Sequence, residues 1–232
     1  MTDIFKHLFG GWREAAARRW HNPDGSEGGI VAVSASVPNS VTIPPDCVVW
    51  PEATISTVGA LIGDRASIGY RASIGNGALI GYRASIGYGA LIGDRASIGE
   101  GASIGVGASI GYRASIGDRA SIGNGALIGY RASIGDGVKY NENDWIFVLG
   151  PQGSRGAWAT AVYSAKLKSL RWWVGCQYGI STETLRERVE LDHGASTHGD
   201  DYRAAIDFVE SHPGLKRARA EILADEIEGA GV

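Results

Sequence analysis

A chain of 232 residues with a formal net charge of -3 has no bulk attraction to nucleic acid or to an anionic membrane. Its two cysteines, Cys47 and Cys176, are too few and too far apart for a disulfide framework and suit a reducing cytoplasm. No apolar run has the length of a signal peptide or a membrane span, so the expected setting is cytoplasmic, with no membrane partner.

Residues 1–29 open with Ile4, Phe5, Leu8, Phe9 and Trp12, then Ala15 to Ala17 and Trp20. This is amphipathic helical spacing, interrupted at Gly10-Gly11 and ended by Asn22-Pro23-Asp24-Gly25. It predicts an N-terminal helical cap over the open end of a repeat region that starts near Val31.

From Val31 a six-residue step begins. Val31, Val37, Ile43, Val49 and Ile55 keep the period, with Ala35, Val41, Cys47 and Ala53 two residues before the next member. One residue is inserted between Ile55 and Ile62. Thirteen isoleucines then run from Ile62, Ile68 and Ile74 to Ile134 without a slip, each preceded by Ala two residues earlier and followed by Gly. In Ala-Ser-Ile, Ala and Ile point to one side of a strand and Ser to the other. Gly-x-Arg or Gly-x-Gly then turns a corner. No helix fits a period of six, and a fixed period means a solenoid. Cys47 takes an inward place as a small core residue.

The Ala-Ser-Ile-Gly hexads resemble the repeat of left-handed parallel β-helix proteins, best known from the hexapeptide acyltransferases. The resemblance implies coils of three hexads, left-handed crossovers and a homotrimer of rods. Eighteen hexads then make about six coils over residues 30–138, a rod about 29 Å long at the usual strand spacing.

The outward positions distinguish one coil from another. With residues 18 apart in register, Leu61 and Leu79 stack on one face, and Leu91 and Leu127 lie on another, two coils apart. Leu in place of Ser predicts burial against a neighbouring chain, so these four are the candidate interface. At one corner Arg95, Arg113 and Arg131 stack beside Asp94, Tyr112 and Tyr130. Another corner stacks Arg65, Arg83 and Arg119. Like charges in a ladder repel unless carboxylates or an anion intervene. Arg95, Tyr112, Arg113, Tyr130 and Arg131 are therefore the candidate site for an anionic, nucleotide-like ligand, held by stacking and forked hydrogen bonds. A solvated ladder with Asp and Glu100 as counter-charges is the simpler reading.

After Gly137 the pattern changes. Asp144 to Gly150, Ala157 to Tyr163 and Leu170 to Cys176 read as three strands. Ser181 caps a helix from Thr182 to Asp192, a second runs from about Asp201 to Ser211, and a third from Leu215 to about Ile227. Residues 139–232 are thus expected to form a small α+β domain, a three-stranded antiparallel sheet covered by helices. Of the adjacent Trp172 and Trp173, one faces the core and the other an interface. The wording Gly-Pro-Gln-Gly-Ser-Arg, Gly-Cys-Gln-Tyr-Gly and Asp-Tyr-Arg-Ala-Ala-Ile resembles a small domain common in phage and prophage proteins of unassigned function.

The acyltransferases that the rod resembles use a His in or beside the coils as general base. The five histidines here are His7, His21, His193, His198 and His212, so the rod has none. No P-loop or dinucleotide fingerprint is present. His193 and His198 lie in a Gly/Thr/Asp-rich connection and provide no full metal-ligand set. The expected function is a non-enzymatic, phage-encoded homotrimer that presents its C-terminal domains to a host protein or holds a nucleotide-like molecule between subunits, without a cofactor. Such a protein is a counter-defence inhibitor acting in the host cytoplasm or a virion component, with no sequence-specific nucleic acid partner. The alternative is a coenzyme A-dependent acyltransferase with a displaced base, His193 or His198.

Overall fold

The computed structural model describes residues 4–220 except 12, 57–58, 141–143, 153–156, 165, 175–176 and 218. The chain divides into two units, Met1–Asp136 and Gly137–Val232.

Each regular hexad contributes a two-residue strand, such as Ser85–Ile86, and a corner. Successive strands belong to three different sheets, so three hexads close one coil. The first face stacks Val48–Val49, Ser67–Ile68, Ser85–Ile86, Ser103–Ile104 and Ser121–Ile122 in parallel. The second stacks Thr54–Ile55, Ser73–Ile74, Leu91–Ile92, Ser109–Ile110 and Leu127–Ile128. The third stacks Leu61–Ile62, Leu79–Ile80, Ser97–Ile98, Ser115–Ile116 and Ser133–Ile134. The insertion is visible in the register. Val49 pairs with Ile68 and Ile55 with Ile74, whereas from Ile62, which pairs with Ile80, the offset is constant. All thirteen repeat isoleucines are buried, as are the alanines from Ala60 to Ala126.

Three backbone hydrogen bonds tie each hexad to the neighbouring coils. Ser85 N–H donates to Ala102 O at 2.9 Å, Gly87 N–H to Ile104 O at 2.7 Å, and at the next corner Gly89 N–H to Tyr70 O at 2.9 Å. The two glycines of a corner serve different needs. The Gly after Ile faces the backbone of the next coil: a Cβ on Gly105 would lie 2.6 Å from Asn124 N and Gly123 C. The left-handed φ falls two residues later, just before Ala, where Arg and Gly alternate: Arg95 at +57°, Gly77 at +64°. Dihedral preference alone assigns the turning role to the first Gly. Its role is instead close approach, and arginine bears much of the unfavourable φ.

Cys47 is buried as expected. Its Sγ donates to Gly63 O at 3.1 Å, and burial pushes the thiol up to about 11.

The N-terminal segment differs from the expected helical cap over 1–29. It forms three strands, β1 (Ile4–Phe9), β2 (Arg13–His21) and β3 (Glu27–Ala32). β1 and β2 pair antiparallel around Gly10 and Gly11, both at positive φ, and β3 joins the first face in parallel through Ile30 and Val48. A spacing of four, as in Ile4/Leu8 or Phe5/Phe9, keeps residues on one side of a strand as well as of a helix. The diglycine decides for a hairpin. The hairpin still packs on the first coils: Phe9 is buried with its ring 5.7 Å from that of Trp50, and Trp20 Nε1–H donates to Val41 O at 2.9 Å.

In the second unit the antiparallel sheet has four strands where three were expected: Trp145–Gln152, Ala157–Ser164, Ser169–Val174 and Gln177–Ile180. The short Gln-Tyr-Gly-Ile run returns along the third strand. α1 (Thr182–Asp192) has the expected bounds, with Ser181 Oγ accepting Thr184 N–H. α2 (Thr197–Ser211) begins earlier than expected because Ser196 caps it through Gly199 N–H. Residues 213–217 are helical, and most of the third expected helix lies outside the described residues. Phe147, Ala159, Tyr163, Leu170 and Trp172 pack against Leu185, Val189, Ile206 and Val209 from the helices. Trp172 is fully buried and Trp173, on the opposite face, is half-buried. Among the described residues no helix is long and apolar enough to cross a membrane.

The glycine argument predicts that Gly105→Ala lowers the unfolding free energy by about 1–3 kcal/mol, as overpacking does. Gly129, in the last coil, has nothing within 4 Å of a built Cβ, so Gly129→Ala shifts it by less than about 0.5 kcal/mol. Urea denaturation of the two variants checks this, and equal stabilities contradict it.

Candidate functional site

The rod's faces are nearly featureless, because their outward residues are Ser, Thr, Val or Leu. Charge and aromatic surface are confined to the corners, which stack into three edges. Position within a corner dictates what a side chain does. Asp or Asn after the first Gly accepts a backbone N–H from the preceding coil: Asp94 Oδ1 from Asn76 at 2.8 Å, Asp118 Oδ1 from Glu100 at 2.8 Å, Asn124 Oδ1 from Val106 at 2.9 Å and Asp136 Oδ1 from Asp118 at 2.9 Å. Tyr at that place stacks instead.

The edge between the second and third faces carries the candidate ligand residues. The Tyr112 and Tyr130 rings stack with centroids 5.7 Å apart and planes 6° from parallel. The Arg113 guanidinium lies over the Tyr112 ring at 5.1 Å and that of Arg131 over Tyr130 at 5.0 Å. Arg95 Nη1–H donates to the Tyr112 hydroxyl at 3.3 Å. All three arginines are exposed, and none forms an ion pair among the described residues. The one carboxylate on this stretch of the edge, Asp94, is occupied by the Asn76 backbone and side chain.

The structure adds a relation that single hexads did not disclose. The two faces flanking this edge are the two that carry the candidate interface leucines. Leu91 and Leu127, 52% and 77% exposed, lie on the second face, and Leu61 and Leu79, 63% and 43% exposed, on the third. Leu127 comes in the same coil as Tyr130 and Arg131. The signal in the sequence was position modulo one coil, which sorts all nine residues to one edge and its flanks.

The edge between the first and second faces anchors the hairpin. Tyr70 stacks on Tyr88 at 5.3 Å, and the Arg13 guanidinium of β2 sits 3.9 Å from the Tyr70 ring centre. The Tyr70 hydroxyl donates to Glu52 Oε1 and Arg71 Nε–H to Glu52 Oε2, each at 2.7 Å. These bonds, Tyr70's first, hold the Glu52 carboxyl below the usual carboxylate range and raise Arg71. On the third edge Arg65 pairs with Asp46 at 3.3 Å, and Arg83 lies over Tyr82 at 4.9 Å. Glu100, Asp118 and Asp136 come next on that edge, with Arg119.

In the second unit, His193 caps α1 and His198 lies in the first turn of α2. Their ring centroids are 6.3 Å apart, and His193 stacks on Tyr202 at 5.3 Å. Both are half-buried. Among the described residues no group of three potential ligands is placed to hold a metal. Cys176 lies outside the described residues.

Comparison with known proteins bears on the rod. Residues 95–130 match the family model described as bacterial transferase hexapeptide (six repeats). The acetyltransferase domain of PglB from Neisseria gonorrhoeae FA1090 is 26% identical over 49% of this chain and 54% of that one, with a TM-score of 0.47. The same domain in complex with acetyl coenzyme A is 22% identical over 47% and 54%, with a TM-score of 0.40. A histidine mutant of perosamine N-acetyltransferase from Caulobacter crescentus, in complex with CoA and GDP-perosamine, is 24% identical over 48% and 49%, with a TM-score of 0.39. This chain thus spans about half the length of these structures. A search of curated proteins found no match. The rod is a left-handed hexapeptide-repeat β-helix of the acyltransferase-like kind.

The Glu52 cluster gives a pH prediction. A carboxyl held low in the folded state stabilises above its unfolded value of about 4.3, and that stabilisation is lost as pH falls through the lower folded value. Hydrogen exchange of the β1–β2 amides should therefore accelerate in that acid range, and Glu52→Gln should flatten the dependence. An unchanged acid limb in the variant contradicts the assignment.

Proposed function

We propose that the protein is a coenzyme A-dependent acyltransferase of the hexapeptide class. The observation that carries this reading is the transferase hexapeptide match over residues 95–130. That segment contains Arg95, Tyr112, Arg113 and Tyr130 of the Tyr/Arg edge. In this reading the phosphates of the coenzyme meet Arg95, Arg113 and Arg131, and its adenine lies against Tyr112 or Tyr130. Since the rod has no His, the base that takes the proton from an attacking amine or hydroxyl is His193 or His198. The acceptor adds to the thioester carbonyl, and the carbon–sulfur bond breaks to release the coenzyme thiolate.

The test is calorimetry with coenzyme A together with thiol release from acetyl-CoA in the presence of amine and hydroxyl acceptors. Arg113→Ala combined with Tyr112→Ala should weaken binding at least tenfold. His193→Ala or His198→Ala should abolish transfer and leave binding intact. Wild-type protein that neither binds the coenzyme nor releases thiol overturns the reading.

The His-free rod of near-identical hexads favours a second reading. Here the chain is a non-enzymatic, phage-encoded homotrimer in the host cytoplasm, presenting its C-terminal units to a host protein or holding a nucleotide-like ligand at the same edge. Binding of a nucleotide without any transfer, lost in the Arg113/Tyr112 double variant, would support it.

A further inference from the structure

Two edges of the rod carry opposite charge at equal heights. In one coil Arg95 precedes the third-face strand Ser97–Ile98 and Glu100 comes after it. In the next, Arg113 and Asp118 flank Ser115–Ile116, and in the last, Arg131 and Asp136 flank Ser133–Ile134. All six side chains are exposed. On the basic edge the only carboxylate in these coils is Asp94, already hydrogen-bonded to Asn76. On the acidic edge the only cation is Arg119. Among the described residues none of the six is in an ion pair. Each ladder therefore sets like charges about 4.8 Å apart with no opposite charge of its own chain facing it. Between the ladders the face shows only Ser97, Ser115 and Ser133, and towards the N-terminus the exposed Leu61 and Leu79.

We propose that this face is the docking surface for a second copy of the chain, with the rods parallel and without axial offset. Arg95, Arg113 and Arg131 of one copy lie along Glu100, Asp118 and Asp136 of the next. The small serines let two rods approach, and the leucines of the upper coils fill the contact. A closed ring and a two-fold pair both repeat this same contact. The proposal rests on the rod alone and not on the coenzyme A reading. A guanidinium has five N–H donors, so a carboxylate on one side leaves donors for a ligand phosphate on the other.

The test is sedimentation velocity of the full chain without coenzyme, at low and high salt, on two sets of substitutions that the fold already tolerates elsewhere. The first, Arg95→Gly, Arg113→Gly and Arg131→Gly, puts at each left-handed position the residue found at Gly77 on the same edge. The second, Glu100→Gln, Asp118→Asn and Asp136→Asn, removes charge but keeps the backbone-accepting oxygen, as Asn124 does for Val106. Wild-type protein should associate, less so at high salt. Each set alone should weaken association at least tenfold. An equimolar mixture of the two should associate again, since one partner keeps the basic edge and the other the acidic edge. A wild type that is monomeric throughout overturns the proposal, as does either set associating like wild type or a mixture no better than its components. Phosphate binding lost in the first set, in a protein that never associates, would assign the basic edge to a small anion alone.

Discussion

The backbone contact between one coil and the next constrains everything else in the rod. Strand pairs are only two residues long, so no coil holds itself together. Its Ser, Gly and corner N–H groups are satisfied only by coils above and below. Backbone approach at the corner is so close that the residue after each inward Ile has no room for a Cβ until the last coil. The Ala/Ile interior stems from the same constraint, because a triangular coil leaves space for one small and one branched side chain per strand. Solenoids of this kind are held by nearest neighbours, coil on coil.

That constraint also decides where function can reside. Interior positions and the close-approach glycines are fixed by packing, and the flat faces by strand pairing. The corners remain free to vary: one side chain that either caps the preceding coil or stacks as Tyr, then one left-handed position that accepts Gly, Arg or, at position 52, Glu. Arginine at a position where Gly would be unstrained is a cost of about 1–2 kcal/mol per residue. The chain repeats it along selected edges and places its Tyr rings beside it. The result is three edges of different chemistry on one uniform scaffold: a Tyr/Arg ladder between two leucine-bearing faces, an acidic ladder, and an aromatic anchor for the hairpin.

Much of this is legible in the sequence, because a period of six excludes a helix and the phase of Ala and Ile assigns inside from outside. The one-residue insertion, the stacking of Leu61 on Leu79 and the Arg95–Arg113–Arg131 ladder all come from counting. The hairpin is ambiguous because Ile4/Leu8 and Phe5/Phe9 fit both periods; Gly10-Gly11 is the deciding signal. The extra strand at Gln177–Ile180 is too short to show a period. The role of Gly after Ile cannot be read from dihedral preference, since steric need comes from a residue one coil away. For His193 and His198, ring proximity arises from α2 beginning at Thr197, which Ser196 determines and the Gly-rich wording obscures.

The most direct test of the coil as the unit of this fold is equilibrium unfolding of a chain lacking residues 97–114, the span that separates Ser97 from its partner Ser115. Such a chain should fold with a single cooperative transition and native-like β-sheet circular dichroism, because Ala96 then leads into a hexad of the same face. A chain lacking residues 97–105, which breaks the phase of Ala and Ile, should fail to fold. Loss of folding in the first, or folding of both, would contradict the account.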